Sequence, residues 1–325
     1  MRTSNNPEKE KRSRNKLWKH RVLIAFFVPD SEEDYFRRLP EVLDRCLKSL
    51  VETINPETTC ITLVNNASGH RAMQVLDRYA AHIDKIVHYA ENKGKVYAVL
   101  NEVRGMYEEF VTIADADILF YDGWEQAVFD VFATHPKAGA VSPHPCPYLT
   151  FYFNKSAFGW NSFGNIGYGK FVDDHDIDLY VKGVNLPRLI ERKGRPFNWK
   201  QKQYILKRPT PAVLGAYHVA ATYRTGQFRG RTAFPEETFR NSYEEEFIDR
   251  LADDAGFYRL STVQSFIYHM GNTVDDEVLG HCNTGKRLLD PEIFARIKPY
   301  VKRGKFPRFI DWLLGRIFIK LKWNR

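Results

Sequence analysis

A chain of 325 residues, 43% hydrophobic and 14% aromatic, can bury a substantial core and reads as one large enzyme-sized domain with appendages. No stretch approaches the roughly 20 uninterrupted apolar residues that a membrane span requires. The net charge of +8 is unevenly placed: residues 1–21 carry +6 and residues 291–325 carry +8, which leaves −6 between them. A nucleic-acid binder displays its cations on the folded face that meets phosphate, so no nucleic-acid partner is expected. Basic ends around an acidic body suit an anionic bilayer surface, where each Lys or Arg contributes about 1 kcal/mol.

Strand-like runs at Arg21 to Val28, Cys60 to Val64, Lys85 to Tyr89, Phe110 to Ala114 and Ala138 to Val141 alternate with helix-like runs. The helical segments are Pro40 to Ile54, Ala72 to Ala81, Val96 to Met106 and Trp124 to Ala133. In the first of these, Val42, Leu43, Cys46, Leu47, Leu50, Val51 and Ile54 recur at three and four, and Pro40 suits the first turn. Repeated strand–helix–strand units predict an α/β fold with a mostly parallel central sheet and helices on both faces. Ligands of such sheets gather at the carboxyl ends of the strands.

Three of these strand ends carry polar groups. Val64 is followed by Asn65-Asn66-Ala67-Ser68-Gly69, whose amides can meet a base or ribose. Tyr89 is followed by Ala90-Glu91-Asn92-Lys93-Gly94-Lys95, where Gly94 permits close backbone approach and Lys95 can meet a phosphate. The apolar strand Phe110 to Ala114 runs out into Asp115-Ala116-Asp117, and Ile118, Leu119 and Phe120 follow at once. Two carboxylates at a rigid strand end, between segments that want burial, suit a divalent ion that neutralises a pyrophosphate.

Further along, residues 145–211 are dense in glycine and aromatics and too long for an ordinary connection, as expected of an acceptor wall or lid. Inside them, Asp173-Asp174-His175-Asp176-Ile177-Asp178 begins like a calcium loop but lacks its glycine and terminal Glu, so a solvated acid patch is expected. The segment from Phe306 to Trp323 mixes bulky apolar groups with cations, and as a helix it places Ile310, Leu313, Leu314, Ile317 and Leu321 on one face, as an interfacial helix would. Cys46, Cys60, Cys146 and Cys282 form no Cys-x-x-Cys pair and no zinc spacing with the histidines, which points to reduced, structural thiols. The apolar run Val22 to Val28 is short and ends in Pro29-Asp30 without a cleavage pattern, so a cytoplasmic protein is expected, peripheral on the inner face of the membrane.

Over residues 21 to 275 the chain resembles the inverting family 2 glycosyltransferases, which have the GT-A (Rossmann-like) nucleotide-sugar-binding fold. Ile61 to Ser68 looks like that family's second strand and nucleoside-contacting turn, Asn92 to Asn101 like its Asn-x-Gly segment, and Ala114 to Asp117 like its Asp-x-Asp motif. The resemblance implies that Asp115 and Asp117 hold Mg2+ or Mn2+, and that Asn65, Asn66 and Lys95 position the nucleotide. The family often has Asp where Asn65 and Asn66 stand, which leaves the base unassigned. Tyr243 to Leu251 resembles the family's Glu-Asp-x-Asp-Leu-x-x-Arg-Leu pattern. Glu244 then takes the catalytic-base position, and a shift of one would promote Glu245. Ser265 to Asn272 resembles the segment that closes the domain, where His269 would approach the metal or diphosphate.

The implied organisation is a basic tail (1–20), a GT-A domain (21–285, with a nucleotide-sugar half at 21–144 and an acceptor half at 145–285) and a basic amphipathic segment (286–325). The implied activity is transfer of a sugar from a nucleoside-diphosphate donor to a glycan or lipid-linked acceptor, with inversion, in surface polysaccharide or lipopolysaccharide synthesis. The alternatives are less well supported by the residues. A sugar-nucleotide pyrophosphorylase would carry a Gly-rich, Arg-containing phosphate loop after the first strand, where Val28-Pro29-Asp30-Ser31 stands. A glycoside hydrolase has no use for the nucleotide-side turns, and a noncatalytic nucleotide-sugar or nucleic-acid binder would bind without turnover.

Overall fold

The computed structural model describes residues 4, 6, 16–185, 198–207, 209–240, 243–274, 287–301 and 304–323. Most of the basic tail, Cys282 and part of the 145–211 segment lie outside the described residues. The apolar runs of the first half form β1 (His20–Phe26), β2 (Thr59–Asn66), β3 (Lys85–Tyr89) and β4 (Phe110–Ala114), within two residues of their expected bounds. They lie parallel in the order β3-β2-β1-β4. The helices between them are α1 (Asp34–Arg37), α2 (Leu39–Thr53), α3 (His70–Tyr79) and α4 (Lys95–Val103). As the spacing predicts, α2 buries Val42, Leu43, Cys46, Leu47 and Leu50. Two apolar clusters cover the sheet, one containing the buried residues of α2 and α3 and the other those of α4.

After β4 come β5 (Ile118–Phe120), α5 (Trp124–Thr134) and β6 (Ala138–Ser142). The second half adds α6 (Lys155–Phe158), β7 (Ile166–Gly169), α7 (Asp174–Val184), β8 (Gln203–Leu206), β9 (Ala212–Leu214), β10 (Ala220–Arg224), β11 (Tyr258–Ser261) and β12 (Ile267–His269). Here the topology departs from simple alternation. β10 enters antiparallel beside β4, with Ala220 opposite Ala114, and β6, β11, β9, β8 and β7 extend the sheet to ten strands. β12 pairs instead with β5, with His269 opposite Ile118. These two antiparallel pairings bring second-half residues to the end of β4.

The acid run from Asp173 is not simply a solvated patch. Asp173 accepts the His175 backbone N–H at 2.9 Å and so caps α7, while Asp176 is buried. Burial pushes the Asp176 carboxyl above its ordinary value, against hydrogen bonds from Ser265.

The C-terminal helix Lys305–Trp323 packs across α6, with Phe318 stacked on Phe158 at 5.2 Å and Asp311 buried. Its outward face differs from the expected one. Leu313, Ile317 and Leu321 are exposed, but Ile310 and Leu314 turn half inward, and Phe306 and Phe309 complete the exposed stripe. The buried side is set by Gly315, where a Cβ would overlap the Lys155 carbonyl oxygen, so only glycine allows this approach. Among the described residues no helix is long and apolar enough to cross a membrane.

Gly315→Ala therefore tests the seating of this helix. Alanine is the better helix former by about 1 kcal/mol, yet the added methyl must push the helix off α6, at a cost of about 1–3 kcal/mol. Thermal denaturation is expected to show a lower Tm; an equal or higher Tm would mean that the helix does not sit against Lys155.

Candidate active site

The acidic triplet is held from both sides by main-chain bonds. Asp115 N–H donates to the Val219 carbonyl at 2.7 Å, which carries the β4–β10 pairing one step past the strand. The Asp117 carbonyl accepts the Met270 N–H at 2.8 Å, which extends the β5–β12 pairing in the same way. His269, the last residue of β12, thereby faces Asp117, and its Nε2 lies 3.1 Å from Asp117 Oδ2. On its other side His269 Nδ1 meets the Tyr217 hydroxyl at 3.4 Å.

Ligand atoms of Asp115, Asp117 and His269 lie within 4.8 Å of one another. Asp117 Oδ1 is buried without a hydrogen-bond partner, a costly arrangement for a carboxylate unless a cation meets it. Two carboxylates and an imidazole are hard-to-borderline donors that suit Mg2+ or Mn2+. The local charge agrees with this. Burial raises the Asp115 carboxyl, and of its charged neighbours Lys95 opposes the rise while Asp117 and Glu244 add to it. Burial lowers the His269 imidazole, but Asp117 and then Asp115 more than offset this, so it ends above its usual value.

Lys95 is the first residue of α4 and takes a place that the sequence did not suggest. Its Nζ forms ion pairs with both Asp115 and Glu244, the latter at 2.7 Å. Burial alone would lower this ammonium, but the two carboxylates raise it instead. The turn before it depends on Gly94, whose φ of +81° and contact with the Thr238 carbonyl exclude a side chain. Glu244 stands just ahead of a π turn (Glu245–Asp249) that continues into a helix, Arg250–Asp254. Lys95 holds the Glu244 carboxyl below its ordinary range, although burial opposes this. Of the two candidate bases, Glu244 is therefore joined to the acidic triplet. Among the described residues no hydrogen bond or ion pair ties Glu245 to it.

Asn65 and Asn66 are buried, and their side chains shape the loops. Asn65 Oδ1 accepts the Ser68 N–H at 2.7 Å, and its Nδ2 lies 3.1 Å from His88 Nδ1. Asn66 Nδ2 donates to Asn92 Oδ1 at 2.7 Å, and its Oδ1 accepts the Lys93 N–H at 2.8 Å. Ala67 follows at φ 65°, in a region that non-glycine residues seldom occupy and that clusters at functional sites. The two turns after β2 and β3 are thus tied into one surface.

A second network was not foreseen. Asp249, 1% exposed, accepts from Arg259 Nη2 at 2.9 Å and from the Tyr223 hydroxyl and His218 Nδ1, each at 3.2 Å. His218 stands two residues before β10 in no motif, so only the strand order could reveal it. Burial raises the Asp249 carboxyl, but Arg259 and then His218 outweigh it and hold it below the usual range. Its contribution to stability is complete above the unfolded value near pH 4 and is lost as pH falls through the lower folded value. Asp249→Asn leaves Arg259 buried without its carboxylate, and a loss of about 3–5 kcal/mol is expected. Tm measured against pH should fall more steeply in acid for the wild type than for this variant; parallel curves would reject the assignment.

Residues 35–185 match the family model Glycosyl transferase family 2, a segment that contains Lys95, Asp115 and Asp117. No curated protein matches the chain in sequence. Among solved structures, the mannosyltransferase PcManGT from Pyrobaculum calidifontis, in complex with GDP-Man and Mn2+, is 15% identical over 76% of this chain and 55% of its own, with a TM-score of 0.47. TarS 1-349 from S. aureus is 13% identical over 77% of this chain and 60% of its own, with a TM-score of 0.45. The chain thus spans less than two thirds of the length of these structures. In residues 35–185, a little under half of its length, the chain is thus similar to glycosyl transferase family 2.

Proposed function

We propose that this protein transfers a sugar from a nucleoside-diphosphate donor to a hydroxyl of a glycan or lipid-linked acceptor, with inversion at the anomeric carbon. The supporting observation is the convergence of Asp115, Asp117 and His269 with Lys95 and Glu244 at the carboxyl end of β4. Asp117, Asp115 and His269 would hold Mg2+ or Mn2+, which when bound supplies positive charge against the donor diphosphate. The nucleotide half at 21–144 offers the Asn65–Asn66 turn to the nucleoside, and the acceptor half at 145–285 brings Glu244. In a single displacement the acceptor oxygen attacks the anomeric carbon as the bond to phosphate breaks. Glu244 receives the hydroxyl proton, and Glu245 remains the second candidate. Lys95 keeps Glu244 ionised and ready to accept, and it stands where it can also meet the leaving phosphate.

A thermal-shift panel of UDP-, GDP-, CMP- and dTDP-sugars, with and without Mn2+, tests donor and metal together. One donor is expected to raise Tm only with metal, by about 2–4 °C at a hundredfold excess over Kd. Asp117→Asn should abolish the metal-dependent part. Stabilisation by no nucleotide sugar would reject the reading.

The exposed stripe of Phe306, Phe309, Leu313, Ile317 and Leu321, together with the exposed cations Lys305, Arg316 and Lys320, supports peripheral contact with an anionic membrane in surface polysaccharide or lipopolysaccharide synthesis. In flotation with phosphatidylglycerol vesicles the wild type should co-migrate and Phe309→Glu/Ile317→Glu should not. Equal binding by both would put any membrane contact elsewhere.

A further inference from the structure

His218 remains unused by the reaction just described, and its setting is unusual. Its Nδ1 is bonded to Asp249, a carboxylate already engaged by Arg259 and Tyr223. A carboxylate in that position accepts, so Nδ1 carries the proton and the ring orientation is set from behind. Nε2 is then left for something else. The side chain is 30% exposed, comparable to the 32% of Glu244, and His218 and Glu244 are close enough for each to feel the other's charge. The backbone fixes the placement as well. His218 directly precedes Val219, whose carbonyl holds Asp115 N–H, so its backbone stands one residue from the main-chain bond that fixes the acidic triplet, just ahead of β10.

We propose that His218 is a specificity-determining residue for the acceptor: its Nε2 hydrogen-bonds the hydroxyl next to the one that Glu244 deprotonates, so that the site grips a vicinal diol at two points. This rests on the transferase reading and on Glu244 as the proton acceptor. Asp249 acts through His218 as a positioning residue, and the Asp249–Arg259 pair keeps that support rigid. The chemistry favours a diol over an isolated alcohol because Nε2 of a ring protonated at Nδ1 accepts from a second hydroxyl, and donates to that hydroxyl when the ring is charged. A lone alcohol, or water, can meet Glu244 but leaves Nε2 without a partner from the substrate. No bond of the reaction is made or broken at His218.

The test is the partition of one donor between glycerol, a minimal vicinal diol, and water. The readout is the ratio of glycosyl-glycerol to free sugar formed from the nucleotide sugar found in the thermal-shift panel. A ratio does not depend on how much of a variant is folded. His218→Asn can keep the bond to Asp249 through its amide but has nothing at the Nε2 position, whereas His218→Gln can reach that position and gives up the bond to Asp249. The grip requires that His218→Asn lower the ratio at least fivefold and that His218→Gln stay within about twofold of the wild type. A purely structural His218 would leave the ratio unchanged in both, and that result overturns the proposal. A wild type that hydrolyses donor yet places no sugar on glycerol overturns it too. A wild type that releases no nucleoside diphosphate from any donor instead refutes the transferase reading on which it rests.

Discussion

One ammonium group carries much of the site. Lys95 Nζ sits between Asp115, at the end of a first-half strand, and Glu244, at the head of a second-half turn, and it ties the two halves together by charge. Without it, three carboxylates would converge on one partly buried place, and their repulsion would favour protonation or separation. With it, Asp115 and Glu244 are held together around one cation. A residue expected from the sequence to meet a phosphate is here the link between two carboxylates.

The remaining geometry follows from two strands that pair out of order. β10 inserts antiparallel against β4, and β12 pairs with β5; each pairing continues by one main-chain bond onto the acidic triplet. The carboxylates are therefore positioned by backbone rather than by loops, which limits their motion and places His269 against Asp117. Burial of charge here is compensated in separate ways. Asp249 is neutralised by Arg259 within the protein, whereas Asp117 keeps one oxygen with no protein partner. The first arrangement is what a support needs, and the second is what a cation site needs.

The appended helix shows the same division between anchoring and display. Gly315, Asp311 and Phe318 seat one side against α6, and the stripe from Phe306 to Leu321 is left outward. Helical periodicity identified an amphipathic segment but rotated the face, because Ile310 and Leu314 look equally apolar in the sequence and only contact with the body turns them inward.

Much of the nucleotide half was legible because its signals are local. Alternating apolar periodicity marked β1 to β4 and α2 to α5, and Gly94 and the Asp-x-Asp triplet marked turns at strand ends. The amino-acid order by itself determined that carboxylates would stand at the mouth of a parallel sheet, because strand length and side-chain alternation depend on near neighbours alone. Tertiary structure decided which acids meet. It joined Glu244 to Lys95, engaged Lys95 with carboxylates, turned Asn65 and Asn66 to loop-shaping, and brought His218 to Asp249 from 31 residues away. Those choices depend on non-local strand pairing and on the neutralisation of buried charge, and neither is written in the spacing of residues along the chain.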